Sequence, residues 1–136
     1  VDEVHQIFNE WLSQVVRKYK KENFVEFEWL VGPIPIEDGF GKEIISRFYT
    51  VMKTDGLVYT DSNGREMLKR KRNFRETWKV NIKEAIAGNY YPINTKIAIE
   101  DKTHRLAVMT DRAQGSASIF DGTAELMVCM RRHKIM

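Results

Sequence analysis

The residues best suited to metal or nucleophilic chemistry are few and widely separated in this chain. The histidines are His5, His104 and His133, and the one cysteine is Cys129. A protein zinc site usually begins with two ligands a few residues apart, as in His-x-x-x-His or Cys-x-x-Cys. No such pair occurs in the sequence, and no pair of its many carboxylates is singled out by its surroundings. We therefore predict neither a metal site nor a catalytic residue in this chain.

A run of four basic residues, Lys69-Arg70-Lys71-Arg72, is the most concentrated positive charge. Such a run can contact nucleic acid, but no aromatic residue that could stack on a base interleaves with it. The net charge is only +3, from 22 basic and 19 acidic residues. We interpret the run as the solvent-facing rim of a β-strand and predict no nucleic-acid partner.

The composition is that of a soluble globular protein. The chain has 136 residues, of which 43% are hydrophobic and 30% charged, and these proportions are ordinary for a globular domain. This length fits one domain or a piece of a larger one. No apolar run approaches the roughly 20 residues that a membrane-spanning helix needs, so we predict no membrane partner.

Turn residues divide the chain into short segments that favour β-strands. Asn-Gly and Asp-Gly pairs supply the positive φ angles of tight hairpins, and Asn63-Gly64 is predicted to close one between 57–60 and 67–72. Segments rich in β-branched and aromatic residues cover 24–31, 44–52, 57–60, 95–99, 105–110 and 125–130. Short strands between frequent turns predict an all-β fold, an antiparallel β-sandwich with little or no helix.

Residues 4–19 give a conflicting pattern. Their apolar residues recur at the spacing of one helix face, and they are Val4, Ile7, Phe8, Trp11, Leu12, Val15 and Tyr19. Taken alone, this spacing predicts an amphipathic helix.

Four passages, in order along nearly the whole chain, resemble one known family. They read EWLVGPIP at 28–35 followed by GKE at 41–43, YTDSNGRE at 59–66, AGNYYPIN at 87–94, and TDRAQGSAS at 110–118 followed by DG at 121–122 and ELM at 125–127. Together they are similar to the lysosomal α-mannosidases (glycoside hydrolase family 38), which are zinc-dependent enzymes that remove terminal α-linked mannose. Any one passage would be weak evidence, whereas four in register are specific.

The resemblance implies a segment of the C-terminal β-sandwich region of such an enzyme. In that family a separate N-terminal α/β barrel holds the zinc, the aspartate nucleophile and the acid/base carboxylate of a retaining double displacement. Residues 1–136 would form one sandwich domain, or a fragment of it, without that barrel. The chain would hold no cofactor, with zinc expected in the barrel of the parent enzyme. The resemblance also favours a strand over a helix within 4–19.

The resemblance also implies binding partners and a location for this chain. The partners would be other chains or domains of the same α-mannosidase and mannose-containing glycans, and the location would be the lysosome or the outside of the cell. Family members are commonly nicked into chains that stay associated, and a chain beginning at Val1 is similar to one such product. As part of a glycoside hydrolase in glycoprotein degradation, this chain by itself is predicted to be inactive.

A substrate-binding role for Arg131 or Arg132 is also implied by the resemblance. In related Golgi mannosidases an arginine of this pair reaches the active-site rim from the C-terminal domain. Successive side chains on a strand face opposite sides, so only one of the two can do so; we choose Arg131, with Arg132 as the second choice. A guanidinium can donate several hydrogen bonds to sugar hydroxyls while staying charged. The alternative is an arginine that pairs with an acid across a domain interface.

A second function remains open because the end of the chain departs from the family pattern. Family members usually follow the paired arginines with leucines and an acidic cluster, whereas this chain ends in RRHKIM at 131–136. The alternative function is a stand-alone carbohydrate-binding or interaction module derived from a mannosidase domain. A co-purifying partner that contains a zinc barrel would distinguish the first function from the second.

Overall fold

The computed structural model describes residues 1–131, with the backbone alone for 129–131. Within that part of the chain, eleven β-strands and a single 3-10 turn, Ala87–Asn89, are the regular elements. The strands are β1 (Asp2–Asn9), β2 (Leu12–Lys18), β3 (Val25–Val31), β4 (Lys42–Tyr49), β5 (Leu57–Ser62), β6 (Glu66–Lys71), β7 (Tyr90–Ile93), β8 (Lys96–Glu100), β9 (Arg105–Met109), β10 (Gln114–Ala117) and β11 (Thr123–Arg131). The predicted all-β fold is confirmed. Among these elements, no helix has the length and apolar character to cross a membrane.

Two compact units divide the chain. We call Val1–Glu43 the N-terminal unit and Ile44–Val128 the sandwich unit. The N-terminal unit contains an antiparallel sheet in the order β1-β2-β3. Four-stranded sheets, ordered β4-β11-β10-β7 and β6-β5-β8-β9, make up the sandwich unit, with β4 and β11 each running past its limits.

One face of the N-terminal sheet is charged. Arg17 lies on the central strand and pairs with Glu3 on β1 and with Glu26 and Glu28 on β3, at 2.7, 2.9 and 2.5 Å. His5 on the same face lies 2.5 Å from Glu3. Because these side chains stay partly in water, the network contributes little stability. Its main effect is to define which face of the sheet meets solvent.

The opposite face of the same sheet is apolar. Val4 on β1 lies across from Val16, which in turn lies across from Phe27. Phe8 stacks on Trp29 with ring centroids 5.7 Å apart. Val4, Phe8 and Phe27 are 58%, 54% and 41% exposed. A three-stranded sheet with one charged and one apolar face normally buries the apolar face against another layer.

Residues 4–19 form a β-hairpin, and the helix that their spacing alone indicates is absent. Strands β1 and β2 pair from Asp2 with Lys18 to Asn9 with Leu12, with an irregularity between Ile7 and Asn9. The strand favoured by the family resemblance is therefore correct in type, but it is two strands. The turn at 10–11 and the irregularity interrupt the two-residue alternation of the strands. The apolar residues on either side of them therefore have spacings similar to those on one face of a helix.

The core of the sandwich unit lies between its two sheets. Ile93 and Leu126 enter from the first sheet, while Ile97 and Ile99 enter from the second, and all four are at most 6% exposed. Burial of one such side chain stabilises the fold by about 1.5–3 kcal/mol. This two-layer arrangement is the predicted sandwich.

The turn and strand predictions agree with most of this unit. The hairpin β5–β6 pairs Ser62 with Glu66 across a three-residue turn. Within this turn Asn63 and Gly64 have positive φ angles of 52° and 68°, which these two residue types tolerate. Strand β10 was not predicted. It contains Gly115 and Ser116, which have low strand propensity, and it is held by pairing with both β7 and β11.

Candidate functional site

A row of residues crosses the outer face of the sheet β4-β11-β10-β7. Ala117 on β10 pairs directly with Glu125 on β11 and with Tyr90 on β7. Directly paired residues share a face. Leu126, next to Glu125, packs in the core, so the row faces away from the core. Arg47 on β4 completes the row by bonding to Glu125. We call Arg47, Glu125, Ala117 and Tyr90 the outer row.

Glu125 is a buried carboxylate, and both of its oxygens have partners. Its side chain is 2% exposed. The Tyr90 hydroxyl donates to Oε1, and Arg47 donates from Nε to Oε2 and forms an ion pair there through Nη2. A buried carboxylate without partners is strongly unfavourable, so these bonds hold Arg47 and Tyr90 in fixed positions. Gly115 leaves room for Tyr90, since an added Cβ there would lie 3.2 Å from the Tyr90 Cδ1.

Two exposed aromatic rings flank the Arg47 guanidinium. Its carbon atom lies 5.9 Å from the ring centroid of Tyr49 and 5.4 Å from that of Phe120. Nη1 of Arg47 also donates to the Tyr49 hydroxyl at 3.1 Å. This hydrogen bond, together with the contact to Glu125, raises the pKa of Arg47 although partial burial opposes the rise. The site therefore presents a fixed, permanently charged donor close to two rings.

Tyr91 makes a second aromatic cluster, at the edge between the two sheets. The guanidinium carbons of Arg70 and Arg75 lie 4.7 and 5.0 Å from its ring centroid. Arg75 also donates to the Gly88 carbonyl at 2.6 Å, and Arg70 donates to the Thr60 hydroxyl at 3.3 Å. Both arginines are therefore engaged in holding the sandwich together.

The basic run at 69–72 alternates between exposed and engaged side chains. Lys69 and Lys71 are exposed, whereas Arg70 and Arg72 are half-buried. Arg72 lies 3.5 Å from the Ser118 carbonyl. The prediction that this run faces solvent is therefore correct for the two lysines but not for the two arginines. Alternate residues of a strand face opposite sides, so the arginines pack inward.

The predicted substrate-binding arginines, Arg131 and Arg132, lie outside the part of the chain whose side chains the structure describes. Arg131 is the last residue of β11, where the backbone alone is described, and Arg132 lies outside the described residues. Cys129 is also on β11, and His133 lies beyond the described part. The substrate-binding role predicted for Arg131 or Arg132 stays a prediction.

The remaining histidines occupy separate surface positions. His5 contacts Glu3 in the N-terminal unit, and His104 contacts Thr103 at 2.7 Å in the turn between β8 and β9. Over the residues that the structure describes, no group of three or more His, Cys, Asp or Glu side chains is arranged to hold a metal ion.

Comparison with known proteins identifies the family. Residues 1–134 match the model for the glycosyl hydrolases family 38 C-terminal domain. The chain belongs to this glycosyl hydrolase family 38 C-terminal domain family. It is 60% identical over 131 residues to the lysosomal alpha-mannosidase of Felis catus and 57% identical to that of Homo sapiens. It is also 50% identical to an alpha-mannosidase of Canavalia ensiformis.

The matches cover most of this chain and little of the relatives. Each alignment includes 96% of the chain but 13% of the length of the relative. The resemblance to the lysosomal α-mannosidases that the four sequence passages indicate is confirmed. The chain thus corresponds to a family 38 C-terminal domain segment.

Sequence reasoning missed the outer row of this family 38 domain. One signal was present: Glu125 is a single carboxylate between Ala124 and Leu126 in an otherwise apolar strand, and a carboxylate in such a place needs a buried partner. Nothing in the sequence identified Arg47, 78 residues away, as that partner. Of the adjacent tyrosines on β7, Tyr90 bonds to Glu125 in the outer row and Tyr91 provides the ring of the second aromatic cluster.

Proposed function

We propose that this chain is a non-catalytic β-sandwich segment of a retaining exo-α-mannosidase of the lysosomal type. The enzyme would hydrolyse terminal α-mannose from N-glycans, with its active site supplied by another part of the protein. The family match over residues 1–134 carries the proposal, together with relatives named lysosomal alpha-mannosidase. Those names also support location in the lysosome.

The carboxylates of the described structure support a non-catalytic role. Retaining glycosidases use two carboxyl groups about 5–5.5 Å apart, and both must be free to reach the sugar. Here the two buried carboxylates are engaged in the fold, Glu125 in the outer row and Asp61 with backbone N–H groups. The exposed Asp121 also accepts hydrogen bonds from backbone N–H groups. The zinc, the nucleophile and the acid/base group would lie in a barrel outside this chain.

The apolar face of the N-terminal sheet supports a place within a larger protein. Gln14, on the central strand of that sheet, is 6% exposed, and its Oε1 has no hydrogen-bond partner among the described residues. A buried acceptor without a partner is unfavourable. Neighbouring domains of the same polypeptide would cover the apolar face and supply this hydrogen bond.

The isolated chain is expected to show no α-mannosidase activity, with or without added zinc, at acidic or neutral pH. The reason is that no group of three or more His, Cys, Asp or Glu side chains among the described residues is arranged to hold a metal ion. The nucleophile and the acid/base group of the proposed enzyme are expected in the barrel outside this chain. The measurement is release of the aryl group from an aryl α-mannoside by rigorously purified chain. The polypeptide with its barrel serves as the positive control. Turnover that follows the pure chain through two further purification steps contradicts the proposal.

Replacing Arg131 with alanine in the barrel-containing enzyme is expected to lower kcat/KM about 10- to 100-fold, which corresponds to about 1.4–2.8 kcal/mol of lost transition-state binding. Arg132→Ala is the matched control, because the resemblance assigns the contact to one arginine of the pair and Arg131 is the first choice. It is expected to change kcat/KM less than about 3-fold. A larger effect of Arg132→Ala transfers the role to the second choice. No effect of either variant removes the substrate-binding assignment.

A further inference from the structure

We infer that Arg47, Tyr49 and Phe120 form a binding subsite for a neutral pyranoside on the outer face of the sandwich unit. The inference goes beyond the proposed function, since the supporting role proposed above requires no sugar contact at this place. It uses that function only for the choice of mannose as the first ligand to test.

The two rings supply the apolar surface that a sugar needs. Tyr49 is 69% exposed and Phe120 is 53% exposed. A pyranose ring has C–H groups on its faces and hydroxyl groups around its edge, so it packs on an aromatic ring while its edge takes hydrogen bonds. Small-molecule sites typically combine several aromatic or apolar side chains with a small number of well-placed polar groups. Two exposed rings close to one hydrogen-bond donor match this division between apolar faces and polar edge.

The guanidinium supplies the polar part. Each terminal nitrogen of arginine carries two N–H groups, and the bond to the Tyr49 hydroxyl uses one on Nη1. The second N–H of Nη1 has no bond to any of the described residues, and the Arg47 side chain is 23% exposed. A sugar hydroxyl that reaches this nitrogen would accept its hydrogen bond.

The charge of the site selects a neutral ligand. The positive charge of Arg47 is balanced by the negative charge of Glu125, whose oxygen Oε2 it contacts directly. A balanced pair gives little net attraction to a phosphate or a carboxylate. A hydroxyl group needs only a directed donor, so the site favours an uncharged polyol over an anion.

The site is held in place before any ligand binds. The buried Glu125 fixes the guanidinium, and Tyr90 fixes Glu125 from the other side. Binding therefore requires little ordering of Arg47, and preorganised groups bind with a smaller entropic cost. A shallow surface site of this size is expected to be weak, with a dissociation constant of about 1–10 mM.

A local probe at position 120 tests the inference. Phe120 is replaced by 4-fluorophenylalanine in the complete polypeptide that contains the chain, and its fluorine NMR signal is followed during titration with methyl α-mannopyranoside. The matched control is the same label at Phe74, which is 52% exposed and also lies near a cation, with the Lys71 Nζ 6.0 Å from its ring centroid.

The expected result is a saturable shift at position 120 and none at position 74. Tyr49→Ala should weaken binding at least 5-fold, about 1 kcal/mol, without disturbing the pair of Arg47 and Glu125. Equal, non-saturating shifts at positions 120 and 74 overturn the inference. So does tighter binding of methyl α-glucuronide, the anionic sugar, than of the mannoside. Because the signal is local, it does not depend on whether the polypeptide hydrolyses mannosides.

Discussion

Replacing Gly122 with alanine is expected to destabilise the sandwich unit by about 4 kcal/mol. Gly122 has φ = +67°, and an added Cβ would lie 2.6 Å from the Met52 carbonyl oxygen and 2.8 Å from that of Thr50. Both atoms belong to the backbone, so neither can turn aside. The clash would also break the hydrogen bond from the Thr50 amide to the Gly122 carbonyl, 2.9 Å long.

The turn that contains Gly122 joins two distant parts of the chain, which is why the effect is large. Asp121 accepts hydrogen bonds from the Thr54 amide and hydroxyl and from the Gly56 amide, at 3.2, 2.8 and 3.0 Å. Moving the turn to relieve the clash would weaken all of these contacts. They connect the segment after β4 to the start of β11, the strand that carries Glu125.

Gly64→Ala is the matched control for the close approach. Its φ of +68° is almost the same, but the nearest atom to an added Cβ is the Thr95 Cγ2 at 3.5 Å, an ordinary contact. Only the backbone strain remains, which costs about 1–2 kcal/mol. Urea unfolding of both variants, followed by circular dichroism, measures the difference. Equal losses of stability would mean that φ alone governs both positions and that the approach at Gly122 is unimportant.

Replacing Asp61 with alanine is expected to cost about 3–5 kcal/mol. Asp61 is 4% exposed. Its Oδ1 accepts from the amides of Asn94, Thr95 and Lys96 at 2.8, 2.9 and 3.1 Å, and its Oδ2 accepts from the amide of Gly64 at 2.8 Å. Alanine would leave four N–H groups without this acceptor. The carboxylate connects the β5–β6 hairpin to the turn before β8.

The pH dependence of this contribution follows from the pKa of Asp61. Burial raises the pKa, but the four backbone hydrogen bonds lower it more, to about 2. A folded-state pKa below the unfolded value of 3.8 means that the stabilisation is complete above that value and is lost as the pH falls through about 2. The contact therefore retains its full strength at the mildly acidic pH of a lysosome.

Asp61→Asn isolates the charge from the shape of the side chain. Its loss of stability relative to the unaltered chain should stay constant from about pH 7 to pH 5 and shrink below about pH 4. Asp111→Asn is the matched control, because Asp111 is 69% exposed and pairs with the neighbouring Arg112, so its loss of stability should be much smaller than that of Asp61→Asn. Urea unfolding at several pH values tests both. If the loss of stability caused by Asp61→Asn grows as the pH falls, the ionised carboxylate of Asp61 is not the stabilising group.

The sequence predicted the fold class, most strands and the tight turns because these depend on neighbouring residues. Asn63-Gly64 closes its hairpin since both residues tolerate positive φ, and β-branched segments such as 95–99 form strands where they were expected. The apolar spacing over residues 4–19 wrongly predicted a helix. The turn at 10–11 restarts the in–out alternation of the strands, and a count of apolar spacing along the chain does not detect such a turn. The resemblance to the α-mannosidases corrected the secondary structure there.

Only the tertiary structure decided which polar residues meet. Arg47 and Glu125 are 78 residues apart, and Asp61 lies 33 residues before Asn94. Such partners are set by strand order and by the register of whole sheets. A single residue of slip would turn every side chain of a strand to the other face. The sequence by itself determined an antiparallel sandwich, because local turn chemistry and alternation act over a few residues. The family was indicated separately, by the resemblance of four passages to the lysosomal α-mannosidases. The outer row and the aromatic rings beside it arise only when β4, β7, β10 and β11 lie side by side.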